Sequence, residues 1–196
     1  MNAPGIFTTE NKWGRGDTMT EHMLDNLFKN YTDLVTRVEE HIQRLARVHK
    51  DHLVCKKGCD ACCRHLSLFP VEAFALSRAF SRLDTPCREK IFEQVRQTDQ
   101  ACPLLVDHVC MLYEARPIIC RTHGYPLYME KEDRAMVDFC PKNFKGVKKL
   151  DRADMLDLDR MNTLLTAVNN HFITCFEDGL PDRIPVDQAL ELYQLL

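Results

Sequence analysis

Cysteine is the residue type whose number and spacing in this sequence point most clearly to chemistry. Ten of the 196 residues are cysteines, and four of them fall within nine residues as C-x3-C-x2-C-C, at Cys55, Cys59, Cys62 and Cys63. Four thiols this close together are prone to oxidation unless a metal holds them as thiolates. Gly58 lets the loop turn back, so that successive sulfurs can face one centre. The loop therefore predicts a metal site.

Cys62 and Cys63 are neighbours in the sequence, which restricts how they can share a metal. Neighbouring side chains diverge by about 100° on a helix and by about 180° on a strand. One of these two thiols is therefore expected to point away from the centre that the other three loop cysteines serve. It could bridge a second metal, belong to a second site, or remain a free reactive thiol.

Four further cysteines occur where the sequence has no helical periodicity: Cys102, Cys110, Cys120 and Cys140. Their spacings of 8, 10 and 20 residues match no zinc-ribbon pattern, and we interpret them as ligands that fold back onto the loop. Cys102 and Cys140 each precede a proline, as the last cysteine of bacterial ferredoxin motifs does, which slightly favours iron–sulfur over zinc. The eight thiolates would suffice for one site or for two.

The remaining two cysteines are predicted to pack in the core and not to bind metal. Cys87 lies one helical turn before Ile91, and Cys175 lies three residues after Phe172, so each continues an apolar helix stripe. A buried free cysteine behaves as a small hydrophobic residue.

The rest of the chain is predicted to be mainly α, with helices packed around this irregular, cysteine-rich centre. Apolar residues at three- and four-residue steps predict a long helix from Thr18, its capping residue, to about His52. Further helices are expected from Pro70 to about Arg82, from Thr85 with Ile91 and Val95 inside, from near Asp151 to the stop at Gly179 and Pro181, and from Pro185 to Leu196. Short strands could occur at 109–114 and 118–121. Residues 1–17 are predicted to be a flexible leader, and residues 18–196 one helical domain.

Composition excludes several classes of protein. Lys and Arg together number 26 against 29 Asp and Glu, and this net charge of −3 gives no reason to expect nucleic acid or an anionic membrane as a partner. The apolar runs are far too short for a membrane-spanning helix. Residues 1–17 lack the apolar segment of a signal peptide, so the predicted location is the cytoplasm, where thiols stay reduced and clustered cysteines bind metal.

Three segments resemble, in the same order, the YkgJ-type cysteine-cluster (CxxCxxCC) family. They are C-K-K-G-C-D-A-C-C at 55–63, A-C-P-L-L at 101–105 and V-C-M-L-Y-E-A-R-P-I-I-C-R at 109–121, within a match of about residues 52–143. The resemblance implies a cytoplasmic protein that chelates zinc or iron. By motif the chain is more distantly similar to flagellin lysine-N-methylase. That enzyme has a similar cysteine cluster beside its methylation activity, but no methyl-donor site is evident in this shorter chain.

Two arginines and a histidine within this match are candidate cofactor-binding residues. Arg116 and Arg121 could offset the negative charge of a thiolate centre, or Arg116 could bind a carboxylate or phosphate. A salt bridge from Arg116 to Glu114 or another acid is the plain alternative. His123 lies three residues after Cys120 and could replace a thiolate or hydrogen-bond a sulfur. Three histidines near the loop could act similarly but are more simply solvent-facing or capping residues: His49, His52 and His65.

The sequence thus predicts a metal-binding protein that holds an iron–sulfur cluster or zinc through thiolates, in a structural or electron-transfer role, with a slight preference for iron–sulfur. One alternative is a methyl-transferring or redox enzyme with a pocket lined by Arg116, His123 or Tyr125. Another is metal storage or delivery, with more than one ion bound per chain. The metal ion or cluster is the only partner that the sequence indicates.

Overall fold

The computed structural model describes residues 20–97, 100–132 and 134–196, so the predicted leader and Thr18 lie outside the described residues. Over these residues the chain forms six helices: α1 (Glu21–Val48), α2 (Pro70–Ser81), α3 (Thr85–Gln97), α4 (Ile118–Thr122), α5 (Leu158–Ile173) and α6 (Val186–Ala189). Short strands lie between them: β1 (Ser67–Leu68), β2 (Leu105–Val106), β3 (Val109–Cys110), β4 (Leu127–Lys131), β5 (Arg134–Asp138), β6 (Leu156–Asp157) and β7 (Ile184–Pro185). About half of the chain is helical, which agrees with the predicted mainly α character.

Helix α1 buries one apolar stripe along its whole length, as its periodicity predicts. Its first turn is capped by Thr20, whose hydroxyl accepts a hydrogen bond from the Met23 N–H at 3.3 Å, and not by Thr18 as predicted. The helix also ends at Val48, before the predicted end near His52. Just beyond it, the His52 carbonyl accepts the Phe144 N–H at 2.8 Å, a tertiary bond that directs the chain away from the helix axis.

Helix α2 is apolar on almost every side and lies in the middle of the core. Four phenylalanines join α2 to α1 and α5. Ring centroids lie 5.6 Å apart for Phe28 and Phe172, 5.4 Å for Phe74 and Phe172, and 5.1 Å for Phe74 and Phe176. Because these rings interlock, the three helices form a packed base on which the irregular middle segment rests. The predicted bounds of α2, the predicted start of α3 at Thr85 and the inward-facing Ile91 are confirmed.

The middle segment agrees with the predicted strands only in part. Val109–Cys110 is a strand, as predicted for the start of 109–114, but the next residues form a 3-10 turn at Tyr113–Ala115. The predicted strand at 118–121 is wrong, because Ile118–Thr122 is the helix α4. The carboxylate of Glu72, which is 4% exposed, accepts the Ile118 N–H at 3.0 Å and so satisfies an open donor at the start of that helix.

Sequence analysis did not predict the three-stranded sheet of β4, β5 and β6. Strands β4 and β5 form an antiparallel hairpin, and β6 runs parallel to β4 on its other side. The pairing of Leu127 with Leu156 holds the chain extended where the last long helix was predicted to begin. Helix α5 therefore starts at Leu158 and not near Asp151, with Asp157 accepting the Arg160 N–H at 2.9 Å as its cap.

The C-terminal segment returns to the core and closes it. Helix α5 ends at Ile173, before the predicted stop at Gly179 and Pro181. Strand β7 then pairs with β1 in antiparallel register, which places it close to α2. The predicted terminal helix is divided into α6 and a 3-10 turn at Leu192–Leu195. Among the described residues, no helix is both long and apolar enough to cross a membrane.

The aromatic base gives a first prediction. Replacing Phe172, which is 1% exposed and contacts three other phenylalanine rings, with alanine should lower the free energy of unfolding by about 3–5 kcal/mol, because it leaves a cavity. Denaturant titration followed by circular dichroism would measure the loss. Leu164→Ala, at a position on the same helix that is 46% exposed, should change stability by less than about 0.5 kcal/mol. Equal losses in the two variants would contradict this account of the core.

Candidate metal centre

The cysteine loop is folded by two successive turns. The Cys59 N–H donates to the Lys56 carbonyl at 2.9 Å, and the Cys63 N–H donates to the Asp60 carbonyl at 2.8 Å. Gly58 has a φ of +88°, in the left-handed region that side chains disfavour. The turn predicted from Gly58 is therefore confirmed.

Asn143 links the loop to the segment after Cys140. The residue is 1% exposed, and its amide nitrogen donates to Cys55 Sγ at 3.3 Å and to the Gly124 carbonyl at 2.9 Å. Its amide oxygen accepts the Val54 N–H at 3.0 Å, and its own N–H donates to the Cys140 carbonyl at 2.9 Å. One buried side chain thus connects three parts of the chain, and Cys55 and Cys140 both lie beside it.

Gly124 allows this close approach because it has no side chain. Its φ is +94°, and a Cβ placed on it would lie 3.1 Å from Asn143 Nδ2, 3.4 Å from Cys55 Sγ and 3.7 Å from Cys140 Cβ. The sulfur of Cys55 and the Cβ of Cys140 are therefore both within contact of one point. Any other residue at position 124 would have a strained backbone at this φ and would crowd the Asn143 amide.

The thiol of Cys55 interacts electrostatically with three other thiols. Burial raises its pKa, the hydrogen bond from Asn143 lowers it, and the negative charges of the thiolates of Cys140, Cys59 and Cys62 raise it again. These interactions identify four cysteines that share one neighbourhood. We call them the first cysteine set: Cys55, Cys59, Cys62 and Cys140.

Cys63 is placed elsewhere, by backbone pairing with the segment that carries Cys102. An antiparallel bridge joins Arg64 to Ala101, and the Cys102 N–H donates to the Cys63 carbonyl at 3.3 Å. In this register Cys63 lies directly opposite Cys102. The β2–β3 hairpin brings Cys110 close to Cys102. Leu105 pairs with Cys110 across the hairpin, and the Leu105 N–H donates to the Cys102 carbonyl at 3.0 Å.

Electrostatic interactions add Cys120 to this second neighbourhood. Burial, together with the negative charges of Cys102, Cys110, Cys63 and Glu72, raises the pKa of Cys120 to about 12. Burial likewise raises the pKa of Cys63 to about 12, with contributions from Cys62, Cys102 and Cys110. We call these four residues the second cysteine set: Cys63, Cys102, Cys110 and Cys120.

Grouping by chain position therefore differs from grouping in space. Cys140, which follows the middle segment in the sequence, lies with the loop, and Cys63 of the loop lies with the middle segment. The thiol of Cys62 still interacts with that of Cys63, so the expected divergence of these two side chains stays a prediction. As the side chains stand, no three or more His, Cys, Asp or Glu side chains in the described ranges are arranged to hold a metal ion.

The two cysteines assigned to the core differ in outcome. Cys175 is half-buried and packs against the hydrophobic core, as predicted. Cys87 is half-buried in the first turn of α3, where its thiol hydrogen-bonds Asp84, and this interaction raises the pKa of that thiol. The prediction that Cys87 packs in the core is therefore wrong, because the first helical turn directs it toward a polar cap.

The predicted arginines are both bound to the same carboxylate. Glu39 accepts hydrogen bonds from Arg116 Nη2 at 3.0 Å and from Arg121 Nη1, while Arg121 also donates to the Glu114 carbonyl. Arg121 is buried at 8% exposed. The plain alternative of a salt bridge thus holds for Arg116, with Glu39 as the acid. The positive charge of Arg116 also lowers the pKa of the Cys110 thiol, against the larger effect of burial, so it acts on the second cysteine set.

The four histidines considered as possible ligands lie in different environments. His123 is exposed at the end of α4. His65 pairs with Asp187 at 2.8 Å, and His49 lies 3.1 Å from Asp154. His49 and His52 both pack against the ring of Phe144, with centroids 5.5 and 6.5 Å away.

Sequence analysis missed two contacts that shape the site. One is the hydrogen bonding of Asn143, because an isolated asparagine in a lysine-rich stretch is typical of an exposed loop. The other is the pair formed by His108 and Asp60, 2.7 Å apart, which joins the turn of the β2–β3 hairpin to the cysteine loop. The hairpin turn has left-handed backbone at Asp107 and His108. No spacing rule predicts either contact, since each depends on how distant segments meet.

Comparison with known proteins agrees with this assembly of cysteines. Residues 54–141 match the family model CxxCxxCC, described as “Putative zinc- or iron-chelating domain”. The resemblance expected from the sequence is therefore confirmed over these residues, which include all eight cysteines of the two sets. No curated protein and no solved structure gives a match.

The contacts of Asn143 give a second prediction. Asn143→Ala should lower the free energy of unfolding of the reduced, metal-free chain by about 1–3 kcal/mol, because the Val54 N–H and the Gly124 carbonyl lose their buried partner. Urea titration would measure this. Asn162→Ala, at an exposed position of α5, is the matched control and should change stability by less than about 0.5 kcal/mol. An unchanged stability of the Asn143 variant would show that the amide does not hold these segments together.

Proposed function

We propose that this chain, whose residues 54–141 match a zinc- or iron-chelating family, binds metal through the thiolates of its two cysteine sets. The observation that supports this is the convergence of eight cysteines, drawn from five separate stretches of sequence, into two neighbouring groups. Thiolates are soft ligands that suit zinc and iron–sulfur clusters alike. The donor chemistry therefore fits either group.

The protonation of the thiols explains why a metal would be favourable here. Burial raises the pKa of Cys63 and Cys120 to about 12 and that of Cys102 to about 11, so the free thiols are neutral at pH 7. Bringing them together as thiolates without a cation would cost free energy through mutual repulsion. A metal ion replaces the protons and offsets that repulsion, so binding releases protons and stabilises the fold.

Between zinc and an iron–sulfur cluster, we favour the iron–sulfur cluster. Two of the eight cysteines precede proline, and the ligands lie mostly on loops and short elements, which resembles ferredoxin-type ligand runs more than a zinc ribbon. A bound cluster would supply one-electron transfer, whereas zinc is redox-inert. Arg116 and Arg121, which share Glu39, leave one positive charge near the second cysteine set, where it partly offsets the thiolates.

An enzymatic role would call for a pocket beside the site. A groove of about 220 Å³ runs between α1 and α2 and is lined by Arg78, Arg82 and Arg121. It does not include Arg116, His123 or Tyr125, the residues expected to line a substrate pocket. We favour a structural or electron-transfer role, in the cytoplasm, over catalysis, because the convergence of thiols is the feature on which this proposal rests.

Metal analysis after anaerobic purification tests this proposal. The protein should contain iron with a broad visible absorption if it holds a cluster, or zinc without colour if it does not. Cys59→Ser should lower the bound metal, since Cys59 belongs to the first cysteine set, whereas Cys87→Ser should not. A wild-type protein that binds neither iron nor zinc, or an equal loss in both variants, would refute the proposal.

A further inference from the structure

We propose that two copies of this chain associate edge to edge through strand β5, which joins their two sheets into one. Strand β5 (Arg134–Asp138) is an edge of the three-stranded sheet, since it pairs with β4 on one side and with no described strand on the other. All five of its residues are exposed. The inference is independent of metal binding, because none of these residues belongs to either cysteine set.

Strand β5 lacks the features that commonly keep edge strands apart. Natural edge strands carry proline, lysine or a bulge, each of which hinders pairing with another chain. The middle of β5 is instead Ala135, Met136 and Val137, and its register with β4 runs without a bulge. Met136 is 48% exposed and Val137 is 40% exposed, and as neighbours on a strand they face opposite sides of the sheet. The strand therefore presents apolar side chains to solvent on both faces.

The backbone of β5 offers a second edge for pairing. Two residues separate Lys131 from Arg134, the pair that closes the hairpin, and Glu132 between them has the left-handed φ of +52° that such a turn requires. The pair that closes a two-residue turn is hydrogen-bonded, and hydrogen-bonded and open pairs alternate along an antiparallel ladder. Ala135 and Val137 therefore direct their N–H and C=O groups away from β4.

A two-fold axis at Met136 pairs these outward groups with each other. In antiparallel register about that residue, Ala135 of one copy lies opposite Val137 of the other, so each outward N–H meets an outward C=O. Met136 then lies opposite its own copy. Since Met129 pairs with Met136 within each chain, four methionines form one row across the joined sheet. A shift of one residue would instead pair outward groups with groups already bonded to β4.

The charges at the two ends of β5 select this register. Arg134 and Asp138 form no ion pair with any residue that the structure describes. Within its own chain Arg134 lies opposite Lys131, and like charges in this position are unfavourable. About the two-fold axis, Arg134 of each copy lies opposite Asp138 of the other, so two pairs of opposite charge form. A register shifted by two residues would lose both pairs.

This arrangement closes at two copies. The far edge of the sheet is β6, which has only two residues and runs parallel to β4. Because β5 pairs only with another β5, both chains use the same patch, and no third copy can add to it. The partner that fits this edge is therefore a second copy of the chain, in a six-stranded sheet.

Exchanging the two end charges tests the proposal, by sedimentation equilibrium of the full chain with a reductant present to exclude disulfide-linked dimers. The wild type should have twice the 22.8 kDa mass of one chain. Arg134→Asp and Asp138→Arg should each weaken the dimer about tenfold, since the symmetry opposes like charges twice. The variant with both changes should regain the affinity of the wild type. Arg37→Asp, the same change at an exposed position of α1, should have no effect.

Two further measurements address the backbone pairing. Val137→Pro removes an outward N–H and should leave the chain monomeric, while the pairing with β4 keeps its hydrogen bonds. In the wild type, the amides of Ala135 and Val137 should exchange with deuterium more slowly as the protein concentration rises. Circular dichroism would verify that each variant keeps its helices. A monomeric wild type, a dimer that neither single charge change weakens, or a double variant that stays weakened would overturn the proposal.

Discussion

Two hydrogen-bonded constraints hold the cysteine-bearing segments in place: the backbone pairing of Cys63 with Cys102, and the buried side-chain amide of Asn143. The segments they join have little regular structure, so no helix or sheet ladder could fix the sulfurs there. Each constraint satisfies backbone groups as well as positioning a cysteine, which is why irregular chain can be buried at these points. The interlocked rings of Phe28, Phe74 and Phe172 supply the rigid base against which the segments are pinned.

Charge is the second determinant of the site. Thiols that lie close together and partly out of water resist ionisation, and Cys63 and Cys120 do so strongly. Around them Glu39 neutralises one of the two nearby guanidiniums, and the negative charge of Glu72 contributes to the raised pKa of Cys120. Cys63, Cys102 and Cys120 are consequently protonated without a metal, and the energetics of binding there depend on exchanging those protons for a cation.

The sequence allowed the chemistry to be predicted better than the geometry. Helices α2 and α3 were predictable because Pro70 and Thr85 mark their starts and apolar residues define their inner faces. The β4–β5 hairpin and the helix at Ile118 were not, since the first depends on pairing with β6 and the second on a carboxylate 46 residues earlier in the chain. Likewise, the spacing of the loop indicates thiolate ligation, but only tertiary contacts show that Cys140 belongs with Cys55.

The pairing of Cys63 with Cys102 also has a consequence for the order of folding. These residues are 39 positions apart, and the intervening chain consists largely of α2 and α3, which can form from local contacts. Cys55 and Cys140 are 85 positions apart, and doubling the length of a loop adds about 0.6 kcal/mol to the entropy cost of closing it. The second cysteine set lies within the loop between Cys55 and Cys140. When Cys63 and Cys102 pair, the length of free chain between Cys55 and Cys140 becomes shorter. The nested arrangement therefore favours assembly from the inside outward, with the first set completed last.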